Sequence, residues 1–191
     1  MKTAGRALLV VIVLIAAGAP LLAPNPPDRQ FTQYLFAPPT QLRLLDGAPY
    51  FRPLRIVSRL ERRFEEVQGR AVRLQWFRNG HLLGVSDGED APLLLLGADS
   101  YGRDIFSRLV YGARASLGLA ALATLVAMLV GAALGGIAGY AGGVVDELLS
   151  RFSDVVMVLP ATYVVLALRA VMPLVLPPQT VFLLLAGIFA L

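Results

Sequence analysis

Apolar positions along this chain gather into blocks and are not spread evenly. Residues 7–22 form one apolar run, residues 116–138 a second and residues 155–176 a third, and a fourth begins at Thr180. A helix needs about 17–25 mostly apolar residues to cross a bilayer core. The blocks predict three full spans, the first at the short end of this range, and the start of a fourth. Between the first two blocks the pattern changes. From about residue 28 to 96 the chain is polar, rich in arginine and punctuated by turn signals. Residues 42–45 and 49–51 flank Asp46-Gly47, and residues 72–77 and 81–85 flank Arg78-Asn79-Gly80. Both arrangements are hairpin signals. Residues 59–67 read as a short charged helix. The predicted fold is mostly α: a polytopic helical membrane protein carrying a small β-rich extracytoplasmic insertion. Residues 1–23 form its first transmembrane helix, 24–96 the insertion, 97–114 an interfacial segment and 115–191 an incomplete transmembrane core.

Charge sets the orientation. Lys2 and Arg6 precede the first block, which places the N-terminus in the cytoplasm by the positive-inside tendency. Ala17-Gly18-Ala19 also resembles a signal-peptide cleavage site. However, Pro20 would directly follow the cut, and the apolar run continues through Leu21 and Leu22, which favours an uncleaved helix. Pro24, Pro26 and Pro27 end it by removing donors and fixing φ. Pro173, Pro177 and Pro178 predict an outer turn. The apolar run from Thr180 is only about a dozen residues, too short to span, so the chain reads as C-terminally truncated.

In residues 97–114, GADSYGRDIFSRLVYGAR, Asp104 is a candidate helix N-cap. Ile105, Phe106, Leu109 and Val110 after it would form the apolar face of a short helix lying on the membrane surface. The second block carries a ridge of small residues: Ala123, Ala127, Gly131, Gly135 and Gly139 recur every fourth position. That spacing lets a neighbouring helix approach closely. Asp146 and Glu147 follow Gly142-Gly143, as acids at a helix start complement the macrodipole. In the third helix Arg151 and Asp154 lie three apart on one face, an expected membrane ion pair. Pro160 should kink this helix, and Arg169 should snorkel to the interface.

Composition narrows the chemistry. The 191 residues are 57% hydrophobic, above the usual 45–50%. The net charge of +4 comes from arginines that alternate with acids and flank apolar blocks, a pattern that argues against nucleic acid. There is no cysteine, so thiol chemistry and disulfides are excluded. Lys2 is the sole lysine, which excludes a phosphate-binding loop of the lysine type. His81 is the sole histidine and reads as a surface turn residue. Asp87, Glu89 and Asp90 read as a solvated loop rather than a cation site. No catalytic, cofactor-binding or metal-binding residue is expected.

Residues 96–117, LGADSYGRDIFSRLVYGARASL, resemble the signature of dipeptide/oligopeptide permease subunits of ABC importers. The residues carrying the resemblance are Gly97, Asp99, Gly102, Arg103, Asp104, Ser107, Arg108, Gly112, Arg114 and Ser116. Gly139-Tyr140, Gly142-Gly143, Asp146, Arg151, Asp154 and Pro160 are similar to the same family's connection between second and third helices. YLFAPPT, residues 34–40, is similar to a subgroup with an enlarged extracytoplasmic loop. The resemblance implies a six-helix permease in the cytoplasmic (inner) membrane. Its implied partners are a second permease subunit, two cytoplasmic ATPase subunits, an extracytoplasmic solute-binding protein and the lipid bilayer. Energy would come from ATP hydrolysed on the separate subunits. The family's coupling loop would lie beyond residue 191. Two other readings remain at this point: a membrane-anchored sensory or binding protein, and a scaffold membrane protein without a transport role.

Overall fold

The computed structural model describes residues 2–45, 48–78, 80–85, 91–171 and 177–190. The expected Asp46-Gly47 turn, Asn79, the acidic loop of Asp87, Glu89 and Asp90, and Pro173 lie outside them, as does the Arg169 side chain. The chain is about half helical, with one long apolar helix and a small antiparallel β region. It divides into two compact units, Met1–Ala115 and Ser116–Leu191.

The first unit opens with helices α1 (Lys2–Ala17) and α2 (Ala19–Leu22). Pro20 interrupts the hydrogen-bond ladder, but bonds from Gly18 N–H to Leu14 O and from Leu22 N–H to Gly18 O, both 2.9 Å, carry it across the junction. Among the described residues six strands follow: β1 (Leu42–Leu45), β2 (Ala48–Phe51), β3 (Leu54–Ser58), β4 (Arg63–Glu66), β5 (Val72–Arg78) and β6 (His81–Val85). One sheet has the order β1-β2-β5-β6, and β3 and β4 form a second. All pairings are antiparallel, and the two expected hairpins appear as β1–β2 and β5–β6.

The charged helix expected over residues 59–67 is absent, and β4 occupies this stretch. Leu60, Phe64 and Val67 have the spacing of a helical stripe, which misleads a local reading. Leu60 is 99% exposed, whereas Phe64 turns inward beside Leu54 of β3 onto a core of Phe31, Tyr34, Ala37, Leu94 and Ala98. Strand pairing and this core outweigh the local pattern. The Arg43–Glu66 ion pair, 2.9 Å, ties β1 to β4. A second core joins Phe51, Val72 and Leu74 to Ala91 and Leu93. Leu93 and Leu94 thus face different cores, as alternation along extended chain requires.

Helix α3 (Ile105–Ala141) starts in the first unit and continues into the second. Among the described residues it is the one helix long and apolar enough to cross a membrane by itself. The expected interfacial helix and the expected second span are one continuous helix here. Gly112 is the weak helix former between them, and the absence of proline lets the helix pass through it. After Gly142 come α4 (Gly143–Val158), α5 (Ala161–Val171) and α6 (Pro178–Ala190). The kink expected at Pro160 is sharper than a bend. Leu159 is extended, and Pro160 stands between two separate helices.

Candidate functional site

The segment around Gly97–Arg114 folds against residues 25–40, and sterics select its glycines. Gly97 and Gly102 adopt φ of +81° and +73°. A Cβ on Gly97 would lie 2.5 Å from Ala37 O, and one on Gly102 would lie 2.2 Å from Phe31 O. These approaches carry the bonds Ala98 N–H to Ala37 O, 2.9 Å, and Phe31 N–H to Gly102 O, 2.9 Å. Thr40 closes the far end: its N–H donates to Leu94 O (2.8 Å) and its Oγ1 accepts from Leu94 N–H (3.1 Å). The YLFAPPT stretch is therefore the strip against which the Gly-Arg-Asp segment is folded.

Asp104 anchors the centre. Its Oδ1 accepts from Phe106 N–H at 3.1 Å, which makes it the N-cap of α3. Its Oδ2 accepts from Ser107 Oγ at 2.6 Å and from Asn25 Nδ2 at 3.0 Å. Asn25 Nδ2 also donates to Leu93 O (2.7 Å), and Asn25 N–H donates to Ser107 Oγ (3.3 Å). Asp104 and Ser107 are both 0% exposed. A buried carboxylate is tolerated only when such donors satisfy it. The inward face of the first α3 turns is therefore Asp104, Ser107 and Val110. The expected apolar face divides, since Val110 is buried while Ile105 and Leu109 are exposed.

Asp99 organises the preceding turn. Oδ1 accepts from the N–H groups of Tyr101 (2.8 Å) and Arg103 (2.9 Å), and Oδ2 accepts from Arg103 Nε (2.8 Å). Arg108 Nε lies 3.9 Å from the same oxygen. Burial works to raise this carboxyl, but the backbone donors of Arg103 and Tyr101 and the Arg103 guanidinium hold it below the usual range. Arg103 also stacks over the Tyr101 ring at 4.6 Å. Gly112, Arg114 and Ser116 lie on exposed surface of α3.

In the second unit, positions where Gly131, Gly135 and Gly139 would bear a Cβ face open space, and Ala123 is buried. Gly142 has φ +60° and ψ −167° as the residue between α3 and α4. Arg151 pairs with Glu147 rather than with Asp154, with Nη2 to Oε1 at 2.7 Å and Nε to Oε1 at 3.1 Å. The reason is helical geometry: an acid four residues before the base reaches it better than a short Asp three residues after. Asp154 and Arg151 are both exposed. Asn25 was not singled out by sequence reasoning, and Thr40 only as the end of the YLFAPPT stretch, without a contact. Their partners are 79 and 54 residues away, so no local pattern marks them.

No protein-family profile matches the chain. Curated relatives do. The dipeptide transport system permease protein DppC of Alkalihalophilus pseudofirmus is 43% identical over 76 residues, covering 40% of this chain and 25% of the relative. The oligopeptide transport system permease protein OppC of Lactococcus lactis is 39% identical over 94 residues, covering 48% and 32%. DppC of Haemophilus influenzae is 28% identical over 156 residues, covering 82% and 38%. The chain is similar to peptide-transport permeases. These relatives meet the resemblance read from residues 96–117. The chain spans about a quarter to two fifths of the length of the permeases it matches.

Proposed function

We propose that this chain is a transmembrane permease subunit of an ATP-driven importer of peptides or similar small solutes, seated in the cytoplasmic membrane. The observation that carries this reading is its similarity to permeases named for dipeptide and oligopeptide transport. The fold is compatible with it. In this reading α1 and α2 together make the first span, α3 the second, α4 and α5 the third, and α6 begins a fourth, with the N-terminus in the cytoplasm. The bilayer-facing side is apolar, and helices keep backbone groups paired inside lipid. The small-residue face of α3 receives another helix, and the β-rich unit stands outside, where a solute-binding protein docks. The division into a first helix (1–23), insertion (24–96), Gly-Arg-Asp segment (97–114) and permease core (115–191) belongs to the same proposal.

Peptide import needs a pathway that opens to each side in turn. ATP binding on two separate ATPase subunits supplies the free energy, and a second permease subunit completes the pathway. Nucleotide shifts the populations only through its different affinity for the two states. The Asp104–Asn25–Ser107 cluster ties the first turn of α3 to residues 25 and 93 within the first unit. The test is uptake. Deleting the gene in its native host abolishes uptake of at least one class of labelled di- or oligopeptide, and a plasmid copy restores it. Undiminished uptake of every labelled peptide in the deletion strain rejects the reading.

A further inference from the structure

The β5–β6 hairpin carries an aromatic pair that its own fold leaves uncovered. Val72 and Leu74 of β5 are buried in the second core, but Trp76 and Phe77 are 60% and 70% exposed. Phe77 has φ of +54°, a left-handed conformation that a bulky residue adopts only under strain and that glycine would adopt freely. Glycine is instead spent at position 84, where a Cβ would lie 2.6 Å from Arg78 Cβ. The Arg78 stem thus folds back close over β6, and its guanidinium bonds to Gln75 Oε1. Both rings stay exposed at this end of the strand, at a cost to its own backbone at Phe77.

The position of this tip shows what can cover it. β6 packs against α2, and His81 Nδ1 donates to Pro20 O at 3.1 Å. That carbonyl would ordinarily accept from residue 24, but Pro24 has no N–H, so the histidine supplies the missing donor. His81 pairs in register with Arg78, two residues from Trp76. The hairpin end that carries the two aromatic residues therefore lies beside the last turn of the first apolar helix. Residues 8–15 of that helix are exposed and apolar. The helical stretch from Lys2 to Leu22 is about 32 Å long at about 1.5 Å per residue, close to the thickness of a bilayer core.

We infer that the β5–β6 hairpin tip is a second membrane contact, with Trp76 and Phe77 inserted at the headgroup–acyl boundary and Arg78 beside the lipid phosphates. This rests on the membrane reading above. Trp is favoured at this depth because its ring is apolar and its indole N–H stays near water. The hairpin is packed against the end of a helix whose residues 8–15 and Leu21 are exposed and apolar, and this neighbour makes lipid the occupant. The contact would fix the height of the β-rich unit above the membrane.

Trp76 is the sole tryptophan, so its fluorescence reports the tip directly. The full chain is reconstituted in vesicles of phosphatidylcholine and phosphatidylglycerol brominated either high or low on the acyl chain. The inference expects high bromines to quench roughly half the emission and low bromines clearly less, as for a ring about 5–10 Å into the boundary. Phe77→Gly, which relieves the strained φ, should reduce this quenching without lowering the melting temperature. An alkaline wash is run in parallel. A chain that stays in the vesicles while Trp76 remains unquenched and open to iodide overturns the inference and leaves the membrane reading intact. Stronger quenching by the low bromines, or shielding that appears only with an added solute-binding protein, also overturns it. A chain stripped off by the wash overturns both.

Discussion

Removing the Asp104 carboxylate leaves Phe106 N–H and Ser107 Oγ without their acceptor and Asn25 Nδ2 with Leu93 O alone. Asp104→Ala should therefore destabilise the first unit by about 2–4 kcal/mol, from a lost cap and unsatisfied buried donors. Denaturant unfolding of the purified protein in detergent measures this. The motif's glycines should divide sharply. Gly102→Ala combines a positive φ with a 2.2 Å approach to Phe31 O and should cost about 2–4 kcal/mol. Gly112→Ala meets nothing within 4 Å and should be neutral or stabilising by up to about 1 kcal/mol. Melting temperatures of the two variants test the contrast. Asp99 adds a pH dependence. Its folded carboxyl is held below the unfolded value, so it contributes stability above about pH 4, and that stability is lost as pH falls through the lower folded value. Stability curves taken down through this window should slope for the native protein and flatten for Asp99→Asn. Asp104 as a cap was legible in the sequence, because a cap and its partner lie two residues apart. Asn25 was not legible, since only the closed fold brings it to Asp104.

Among elements, α4 and α5 show how one residue divides an apolar block. Leu159 is extended, and Pro160 O accepts from Tyr163 N–H (2.9 Å) and Val164 N–H (3.4 Å), so Pro160 opens α5. Proline lacks the N–H that would join the helices, and its ring disfavours helical φ/ψ in the residue before it. Pro160→Ala restores the donor and should fuse α4 and α5. Spin labels at Ser153 and Leu166 should then report a narrower distance distribution, as expected for one helix. An unchanged distribution would mean that packing sets the break. Hairpins β1–β2 and β5–β6 were legible because their turn dipeptides and alternating strands are local signals. β4 was not, because Leu60, Phe64 and Val67 fit a helical stripe and only pairing with β3 decides between the two. The continuity of α3 was hidden for a different reason. Surface-like residues before Ser116 suggested a separate helix, although the glycine between, Gly112, is carried within α3.

At the scale of the molecule the open quantity is topology, and the chain is suited to measuring it because it has no cysteine. A single introduced thiol then reports its own side of the membrane without background. The proposed arrangement sends α3 from the extracytoplasmic Gly-Arg-Asp end to a cytoplasmic connection at Gly142. Gln68, exposed in the turn between β4 and β5, belongs outside, and Asp146, exposed in the first turn of α4, belongs inside. In intact spheroplasts an impermeant maleimide should label Gln68→Cys fully and Asp146→Cys only after permeabilisation. The charge pattern is ambiguous by itself, because the arginine-rich insertion would be cytoplasmic if every loop obeyed the positive-inside tendency. Long loops escape that tendency, and short loops near span ends set orientation. In the proposed arrangement Lys2 and Arg6 outweigh the insertion's arginines. Labelling at Asp146 but not Gln68 would invert the molecule, put the β-rich unit beside the ATPases and remove the proposed docking of a solute-binding protein. Labelling of both sites in intact cells would mean that α3 does not cross the bilayer, despite being long and apolar enough to do so.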